Sequence, residues 1–202
     1  MDIDPADHGA PHGPIGLPLS STECQVRDEN GQALPPGETG ELCVSPATTG
    51  EWAGVYTPML GYWNQPEASR EALRGGRYHT GDLGTLDEDG NVYVRGRRSE
   101  LILRGGANVY PAEVERVLLE HPDVAAAAVL GIPDERLGER VVAAVEPRPG
   151  TVLEPGDLLT HAQDSLARYK VPDRILVLES LPRNAMQKIV KRELLPRFRP
   201  EA

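Results

Sequence analysis

The sequence has only two cysteines and nine aromatic residues, and its longest apolar stretch runs from Val124 to Ile132. Cys24 and Cys43 lie far apart among strand-like residues, which excludes a disulfide framework or a cysteine zinc site, so we expect both to be reduced. The apolar stretch is much shorter than the roughly 20 residues that a membrane helix needs. The N-terminus has no apolar segment and therefore no signal peptide. We expect a cytoplasmic protein without a membrane span.

Positive charge is also scarce, since the formal net charge is −10. Such an acidic chain is unsuited to nucleic acid as its main partner. Near the C-terminus, however, basic residues cluster: Arg183, Lys188, Lys191, Arg192, Arg197 and Arg199. A local basic patch on an acidic chain suits a small polyanion, but a solvated basic tail explains the spacing equally well.

Proline and glycine are plentiful, with 19 and 21 residues, while 39% of the chain is hydrophobic, which indicates a folded, loop-rich protein. Residues 1–20, which include His8 and His12, have no sustained periodicity and are expected to be an extended lead-in with solvated histidines. Alternating residues then predict strands around Cys24–Val26, at 41–44, at 83–86 and at 92–94, the last two flanking an Asp-Gly turn. The first half is therefore expected to be a small antiparallel, distorted barrel-like β unit.

Helical and strand patterns alternate in the second half. Two very short strands are predicted around Gly105-Gly106, and a helix is expected from Pro111 to Leu119 because proline suits the first helical position. Strands at 124–130, 141–145 and 175–178 and a helix at 158–166 follow. The fold class is thus α+β, with a two-layer C-terminal domain that has a three-stranded sheet and helices. A further helix is expected at 66–74 in the first half.

Several residues could carry chemistry, each with a plainer alternative. Asp82, which follows a glycine, could accept hydrogen bonds from a vicinal diol or merely cap a turn. Arg97 comes just after the strand at 92–94, which the hairpin brings close to Asp82, and its planar guanidinium offers several N–H donors in a fixed geometry. Lys188 could present a point charge to a polyanion, and Gly105-Gly106 could allow a ligand close to the backbone or simply form a tight hairpin. For Tyr62-Trp63 we favour plugging of a sheet edge over stacking on a base.

Five segments in a fixed order resemble the adenylate-forming superfamily of acyl-CoA synthetases, peptide-synthetase adenylation domains and luciferases. These segments are residues 78–82 (YHTGD), 96–102 (GRRSELI), 105–115 (GGANVYPAEVE), 169–172 (YKVP) and 181–188 (LPRNAMQK). The match extends over roughly residues 14–195. The segment that begins at Gly105 (GGANVYP) is most similar to the corresponding segment of fatty-acyl and aryl-acyl CoA ligases.

The resemblance implies roles for particular residues. Asp82 would bind the ribose hydroxyls of ATP or AMP with the help of Arg97 and Tyr78, and Lys188 would be the catalytic lysine of adenylation. Gly105 and Gly106 would lie along the pantetheine of coenzyme A or of a carrier protein. The implied domains are 1–95, the end of the large adenylation domain; 96–99, a hinge centred on Ser99; and 100–202, a mobile C-terminal domain. No metal ligand is predicted in this chain.

Three departures from the family accompany the resemblance. The hinge position holds Ser99 where many relatives have Asp or Lys, and Gln187 stands where glycine usually precedes the catalytic lysine. The phosphate-binding loop, the acyl pocket and the magnesium-binding motif would precede residue 14. We therefore expect the C-terminal part of an AMP-forming acyl-CoA ligase that is inactive by itself and uses a carboxylic acid, ATP, CoA and Mg²⁺ only in the complete enzyme. The alternative is a non-catalytic module that binds a nucleotide, CoA or a carrier protein, or half of a split enzyme that receives the large domain in trans.

Overall fold

The protein is described by a computed structural model over residues 13–55 and 58–198. The predictions for His8 and His12 lie outside these residues. Contacts within the chain divide it into a first unit, Met1–Ser99, and a second unit, Glu100–Ala202. Each unit has its own sheet and its own buried core. Among the described residues, no helix combines the length and apolarity that a bilayer crossing requires.

The first unit is an antiparallel sheet with one short helix. Its elements are β1 (Thr22–Arg27), β2 (Gly40–Pro46), α1 (Pro66–Ala72), β3 (Tyr78–Leu86) and β4 (Val92–Arg97). The strand order is β1-β2-β3-β4, so this is an open meander rather than the barrel-like form that we predicted. Beyond β4, Gly16 pairs with Val92, which places the lead-in segment along that edge. The core is small and is centred on Val26, Leu42 and Val92.

The predicted Asp-Gly hairpin joins β3 and β4. The carboxylate of Asp87 accepts hydrogen bonds from the backbone N–H of Asp89 and of Asn91 and from the Asn91 side chain. The hydroxyl of the fully buried Tyr93 also donates to Asp87. These bonds lower the pKa of Asp87 although its partial burial acts in the opposite direction. The Asp87 side chain thus satisfies the backbone of the turn and sets the register of the two strands.

The second unit is an α+β domain, which confirms the predicted fold class. Its elements are β5 (Ile102–Arg104), β6 (Ala107–Val109), α2 (Pro111–Leu119), β7 (Val124–Asp134), β8 (Gly138–Pro147), α3 (Pro155–Ser165) and β9 (Arg174–Val177). The sheet order is β6-β5-β8-β7, and β9 pairs in parallel with β8. The three longer strands that we predicted are therefore joined by the short β5-β6 hairpin, so the sheet has five strands rather than three.

Proline starts every α-helix in the described residues: Pro66 in α1, Pro111 in α2 and Pro155 in α3. At that position the missing N–H costs nothing and the fixed φ angle suits a helix. The third helix consequently begins three residues before the predicted start at Leu158. Strands β7 and β8 also run past the predicted turn at Pro133. Proline is tolerated there because β7 is an edge strand.

The sheet of the second unit is buried on both faces. Val141, Ala143 and Val145 of β8 pack with helices α2 and α3, while the intervening Val142 and Ala144 pack on the opposite face. That opposite face is covered by the C-terminal segment through Leu181, Leu194 and Phe198. A two-layer description omits this segment, for which a solvated tail was one of two interpretations that the spacing left open. Successive side chains of β8 point to opposite faces of the sheet, and both sets are apolar. Each face therefore needs a covering layer.

Candidate functional site

In the first unit, the predicted nucleotide-binding residues gather where β3 meets β4. Asp82 and Arg97 are cross-strand partners, and Arg97 Nε lies 2.9 Å from Asp82 Oδ1. Arg97 Nη1 also donates to the carbonyl oxygen of Thr80 at 3.0 Å. The Asp82 side chain is 28% exposed and that of Arg97 is 59% exposed. The pair is therefore accessible to a ligand, and the Asp82 carboxylate has a second oxygen beside the one that faces Arg97.

The backbone at this point is a distorted strand rather than the turn expected from the glycine. Gly81 has a φ of 72°, and the register between β3 and β4 shifts between Leu83 and Gly84. The Thr80 hydroxyl donates to Leu42 O at 2.8 Å and accepts from the backbone N–H of Asp82 at 3.0 Å. Thr80 thus ties the distorted segment to β2. The sequence contained this residue in the matched motif, but no local signal identified its role.

Tyr78 lies on the same strand and is half-buried. Burial and a hydrogen bond with the Tyr62 side chain raise the pKa of Tyr78; the charge of Arg97 acts against this rise, and that of Asp82 adds to it. Tyr62 is therefore linked to this cluster, and its neighbour Trp63 is 95% exposed. The prediction that Tyr62-Trp63 plugs a sheet edge is wrong, because an edge plug would be covered. A tyrosine in an extended loop carries no sequence signal for such a contact.

A second cluster surrounds the buried Glu41. Its Oε2 lies 3.0 Å from His79 Nδ1, 2.9 Å from Arg74 Nη2 and 3.6 Å from Arg98 Nη1. His79 Nδ1 is also 3.3 Å from Cys43 Sγ. Glu41, Cys43 and His79 are close enough to share a metal ion. The two guanidinium groups already neutralise the carboxylate, however, and they would repel a cation, so we regard the cluster as an ionic hub.

The two cysteines are free, as expected. Cys43 is buried, and its burial together with the nearby Glu41 carboxylate raises its pKa to about 11. Burial likewise raises the pKa of Cys24. Both thiols therefore remain protonated at neutral pH and are poor nucleophiles and poor metal ligands.

In the second unit, Gly105 and Gly106 form the exposed turn between β5 and β6. Their φ angles are 58° and 83°, as in the central residues of a type I′ turn. Arg104, next to the turn, donates to the carbonyl oxygens of Tyr169 and Val171 and to the Asp173 carboxylate. The turn is thereby attached to the segment that carries the fourth matched motif, residues 169–172.

Lys188 lies in an exposed loop, and its ammonium forms no ion pair with any residue that the structure describes. The residue before it, Gln187, has a φ of 63°. A left-handed backbone favours glycine, which explains why the resemblance places glycine there. Ser99 is exposed within a short 3₁₀ helix, Arg98–Glu100, at the boundary of the two units.

Residues 113–188 match the family model described as the AMP-binding enzyme C-terminal domain. The chain is also 46% identical, over 90% of its length, to 2-succinylbenzoate–CoA ligase of Geobacillus kaustophilus. The chain belongs to the adenylate-forming superfamily. A second relative is the fatty acid–[acyl-carrier-protein] ligase ScoC of Streptomyces coeruleorubidus, which is 44% identical over 97% of the chain.

Solved adenylate-forming structures have the same fold. The Bacillus subtilis o-succinylbenzoate CoA synthetase in complex with its acyl-adenylate matches 90% of this chain with a TM-score of 0.78 and 40% identity. The amide bond synthetase McbA of Marinactinospora thermotolerans matches 92% with a TM-score of 0.79 and 38% identity. The chain spans 35% and 37% of the length of the two curated relatives and 35% and 36% of the two solved chains.

Proposed function

We propose that this chain supplies the C-terminal part of an AMP-forming acid–thiol ligase. Such an enzyme activates a carboxylic acid as an acyl-adenylate and transfers the acyl group to coenzyme A or to the pantetheine of a carrier protein. The observation that carries the proposal is the 46% identity over 90% of the chain to a CoA ligase. The acids named for the relatives differ, one being 2-succinylbenzoate and the other a fatty acid. We therefore propose only a carboxylic acid as the substrate class.

Asp82 and Arg97 are proposed to hold the ribose of ATP and of the acyl-adenylate, with Tyr78 beside them. A carboxylate can accept hydrogen bonds from two vicinal hydroxyls at once, and a guanidinium provides fixed donors next to it. The 2.9 Å contact between Arg97 Nε and Asp82 Oδ1 supports this role because it holds the carboxylate in one orientation. Thr80 would hold the strand distortion in which Asp82 lies.

Lys188 is proposed to be the catalytic residue of the adenylation step. Attack of a carboxylate on the α-phosphate of ATP brings negative charges together, and a cation placed between them lowers the barrier. An exposed lysine with no counter-ion in the described part of the chain is suited to this task, since its ammonium need not leave another partner there. Mg²⁺ would assist in the complete enzyme, and no ligand for it is assigned in this chain.

The second step requires that the thiol of pantetheine reach the acyl-adenylate while Lys188 withdraws. We propose that residues 100–202 move as a domain, that residues 96–99 with Ser99 form the hinge, and that residues 1–95 belong to the large domain. The exposed Gly105-Gly106 turn would then contact pantetheine, because a turn without side chains allows close backbone approach.

A chimera tests the proposal. The part of the Geobacillus ligase that aligns with this chain is replaced by the chain, and each half-reaction is measured separately: ATP–pyrophosphate exchange for adenylation, and CoA thioester formation from synthetic acyl-adenylate. We expect both activities in the chimera. Lys188→Ala should lower adenylation by about 100-fold or more, as removal of a transition-state donor does, and affect thioester formation much less.

Arg192→Ala is the matched control, since Arg192 is an exposed cation four residues away. Its half-reaction rates should equal those of the unmodified chimera. A folded chimera in which Lys188→Ala leaves adenylation unchanged would refute the proposed role of Lys188.

A second candidate function is half of a split enzyme, and exposed apolar side chains in the first unit favour it. Leu60 is 99% exposed and Trp63 is 95% exposed, which is unusual for large apolar residues. The 202 residues alone should release no pyrophosphate with any carboxylic acid, and addition of a separately expressed large domain should restore activity that Lys188→Ala abolishes. Binding without restored turnover would instead favour a non-catalytic module.

A further inference from the structure

The loop that carries Lys188 is built as a closed hairpin. Arg183 and Ile189 form an isolated antiparallel bridge at its base. Asn184 Oδ1 accepts hydrogen bonds from the backbone N–H of Met186 at 2.9 Å and of Lys188 at 3.0 Å. The backbone N–H of Gln187 donates to Asn184 O at 2.9 Å. One asparagine side chain therefore organises the turn, as in other Asx-type turns.

The first strand of this hairpin is anchored to the sheet through Glu146. Glu146, in β8, accepts a hydrogen bond from the backbone N–H of Leu181 at 2.9 Å and lies 3.3 Å from Arg183 Nη2. Leu181 itself is buried in the core on that face. The entry to the loop is thus held by one carboxylate and one apolar side chain.

The exit from the loop is anchored through Lys191, one of the basic residues for which spacing alone left a polyanion-binding patch and a solvated tail equally open. Lys191 Nζ lies 2.9 Å from Glu115 Oε1 and also forms an ion pair with Glu100. Its side chain is only 26% exposed. Burial by itself would lower the pKa of Lys191, but the two carboxylates outweigh burial and raise it, so the amine stays protonated.

The partners of Lys191 lie at two other important places in the second unit. Glu115, in α2, also accepts a hydrogen bond from the backbone N–H of Val129 at 2.8 Å, which fixes that helix to β7. Glu100 is the first residue of the second unit and directly follows Ser99. One ammonium group therefore joins the start of the unit, the helix and the Lys188 loop, although Glu100 and Lys191 are 91 residues apart in sequence.

We propose that Lys191 is a positioning residue that holds the Lys188 loop and the residue after the hinge in one fixed arrangement. The loop is restrained from both ends, so the ammonium of Lys188 extends from a rigid base rather than from a flexible tail. When the domain moves, Glu100 and the loop move together. The catalytic meaning of this arrangement rests on the proposed function, whereas the mechanical link itself does not.

Hydrogen exchange of the full chain tests the link without any assay of catalysis. Lys191→Met removes the charge while keeping the length of the side chain, and Arg192→Met is the matched control at an exposed neighbour. In Lys191→Met, the backbone amides of Gln187, Lys188 and Val190 should exchange at least about 10-fold faster, because one end of the hairpin is released. Amides in the centre of β8 should keep their rates.

Two further variants serve as controls for the exchange measurement. Lys191→Arg should restore slow exchange in the loop, since it retains the charge, and Arg192→Met should leave all rates unchanged. Unchanged loop exchange in Lys191→Met overturns the proposal. An equal acceleration in the loop and in β8 also overturns it, because it would indicate general destabilisation, which the free energy of unfolding in urea measures independently.

The chimera separates this inference from the proposed function. There, Lys191→Met should lower kcat for adenylation more than it changes the KM for ATP, because ligand-binding residues are untouched while Lys188 is mispositioned. Fast loop exchange together with an inactive chimera would sink the proposed function and keep the mechanical link. An active chimera together with unchanged loop exchange in Lys191→Met would support the proposed function and refute the link through Lys191.

Discussion

At the scale of single residues, Glu41 shows how a buried carboxylate can organise its surroundings. Its side chain is 9% exposed and faces His79, Arg74 and Arg98. Burial raises the pKa of Glu41, but the His79 hydrogen bond and the positive charges of all three partners together lower it below its ordinary value. Because the folded-state pKa is depressed, this stabilisation is present above the unfolded-state pKa and is lost as the pH falls through the folded-state pKa.

Glu41→Gln should therefore lower the free energy of unfolding by about 1–3 kcal/mol at pH 7, since a buried hydrogen-bonded charge is removed. The difference from the unmodified protein should shrink as the pH falls from the unfolded-state pKa through the lower folded-state pKa of Glu41, because below both values Glu41 is protonated in both states. Urea unfolding at pH 7, 4 and 3 measures both effects.

Glu71→Gln is the control, because Glu71 pairs with Arg74 at the surface with a side chain that is 77% exposed. Exposed pairs contribute little, and we expect a change below about 0.5 kcal/mol. Equal effects of the two substitutions would contradict the view that Glu41 is the centre of the hub.

At the scale of secondary-structure elements, close approach of strands limits which residues β3 can contain. A Cβ atom on Gly84 would lie 2.8 Å from Leu42 Cδ1 and would clash with the carbonyl oxygen of Tyr93. The backbone of β4 cannot move away without loss of the register that pairs Asp82 with Arg97. The packing of this sheet and the geometry of the proposed ribose site are therefore linked.

We expect Gly84→Ala to lower the free energy of unfolding by about 1–3 kcal/mol, the usual cost of overpacking. Gly156→Ala is the matched control, because nothing lies within 4 Å of a Cβ at Gly156 in α3. There alanine should raise stability by up to about 1 kcal/mol, since it favours the helix. Denaturant unfolding compares the two variants, and an unaffected Gly84→Ala protein would rule out the close β3–β4 packing.

At the scale of the whole molecule, the two units have separate cores. The core of the first unit contains few fully buried side chains, whereas that of the second is larger and includes Val114, Leu118 and Leu158. A chain with two independent cores is not expected to unfold in a single all-or-none step. The first unit should be the less stable because apolar burial provides most of the stabilisation.

Leu158→Ala tests this independence. Leu158 is fully buried, and its truncation should destabilise the second unit by about 2–5 kcal/mol. Calorimetry should show one transition moved to lower temperature and the other unchanged. Val92→Ala, in the core of the first unit, should move the other transition instead. A common shift of all transitions in both variants would indicate one cooperative unit.

Much of the fold was predictable because its signals are local. Pro66 and Pro111 mark helix starts through a fixed φ angle and a missing donor, and the Asp-Gly and Gly-Gly turns mark hairpins through left-handed backbone. These properties belong to one to four neighbouring residues and hold in any tertiary context. The ordered motifs around Asp82, Gly105 and Lys188 likewise identified the superfamily to which the chain belongs.

Local sequence patterns were therefore enough to predict the α+β class, most elements and the candidate residues Asp82, Arg97 and Lys188. The folded chain was needed to show that Lys191 is half-buried between two carboxylates, that Trp63 is exposed, and that the C-terminal segment covers a sheet face. These features depend on partners far away along the chain, such as Glu100 for Lys191. A basic residue has the same local pattern whether its charge meets water or a distant glutamate, so its environment is set by packing alone.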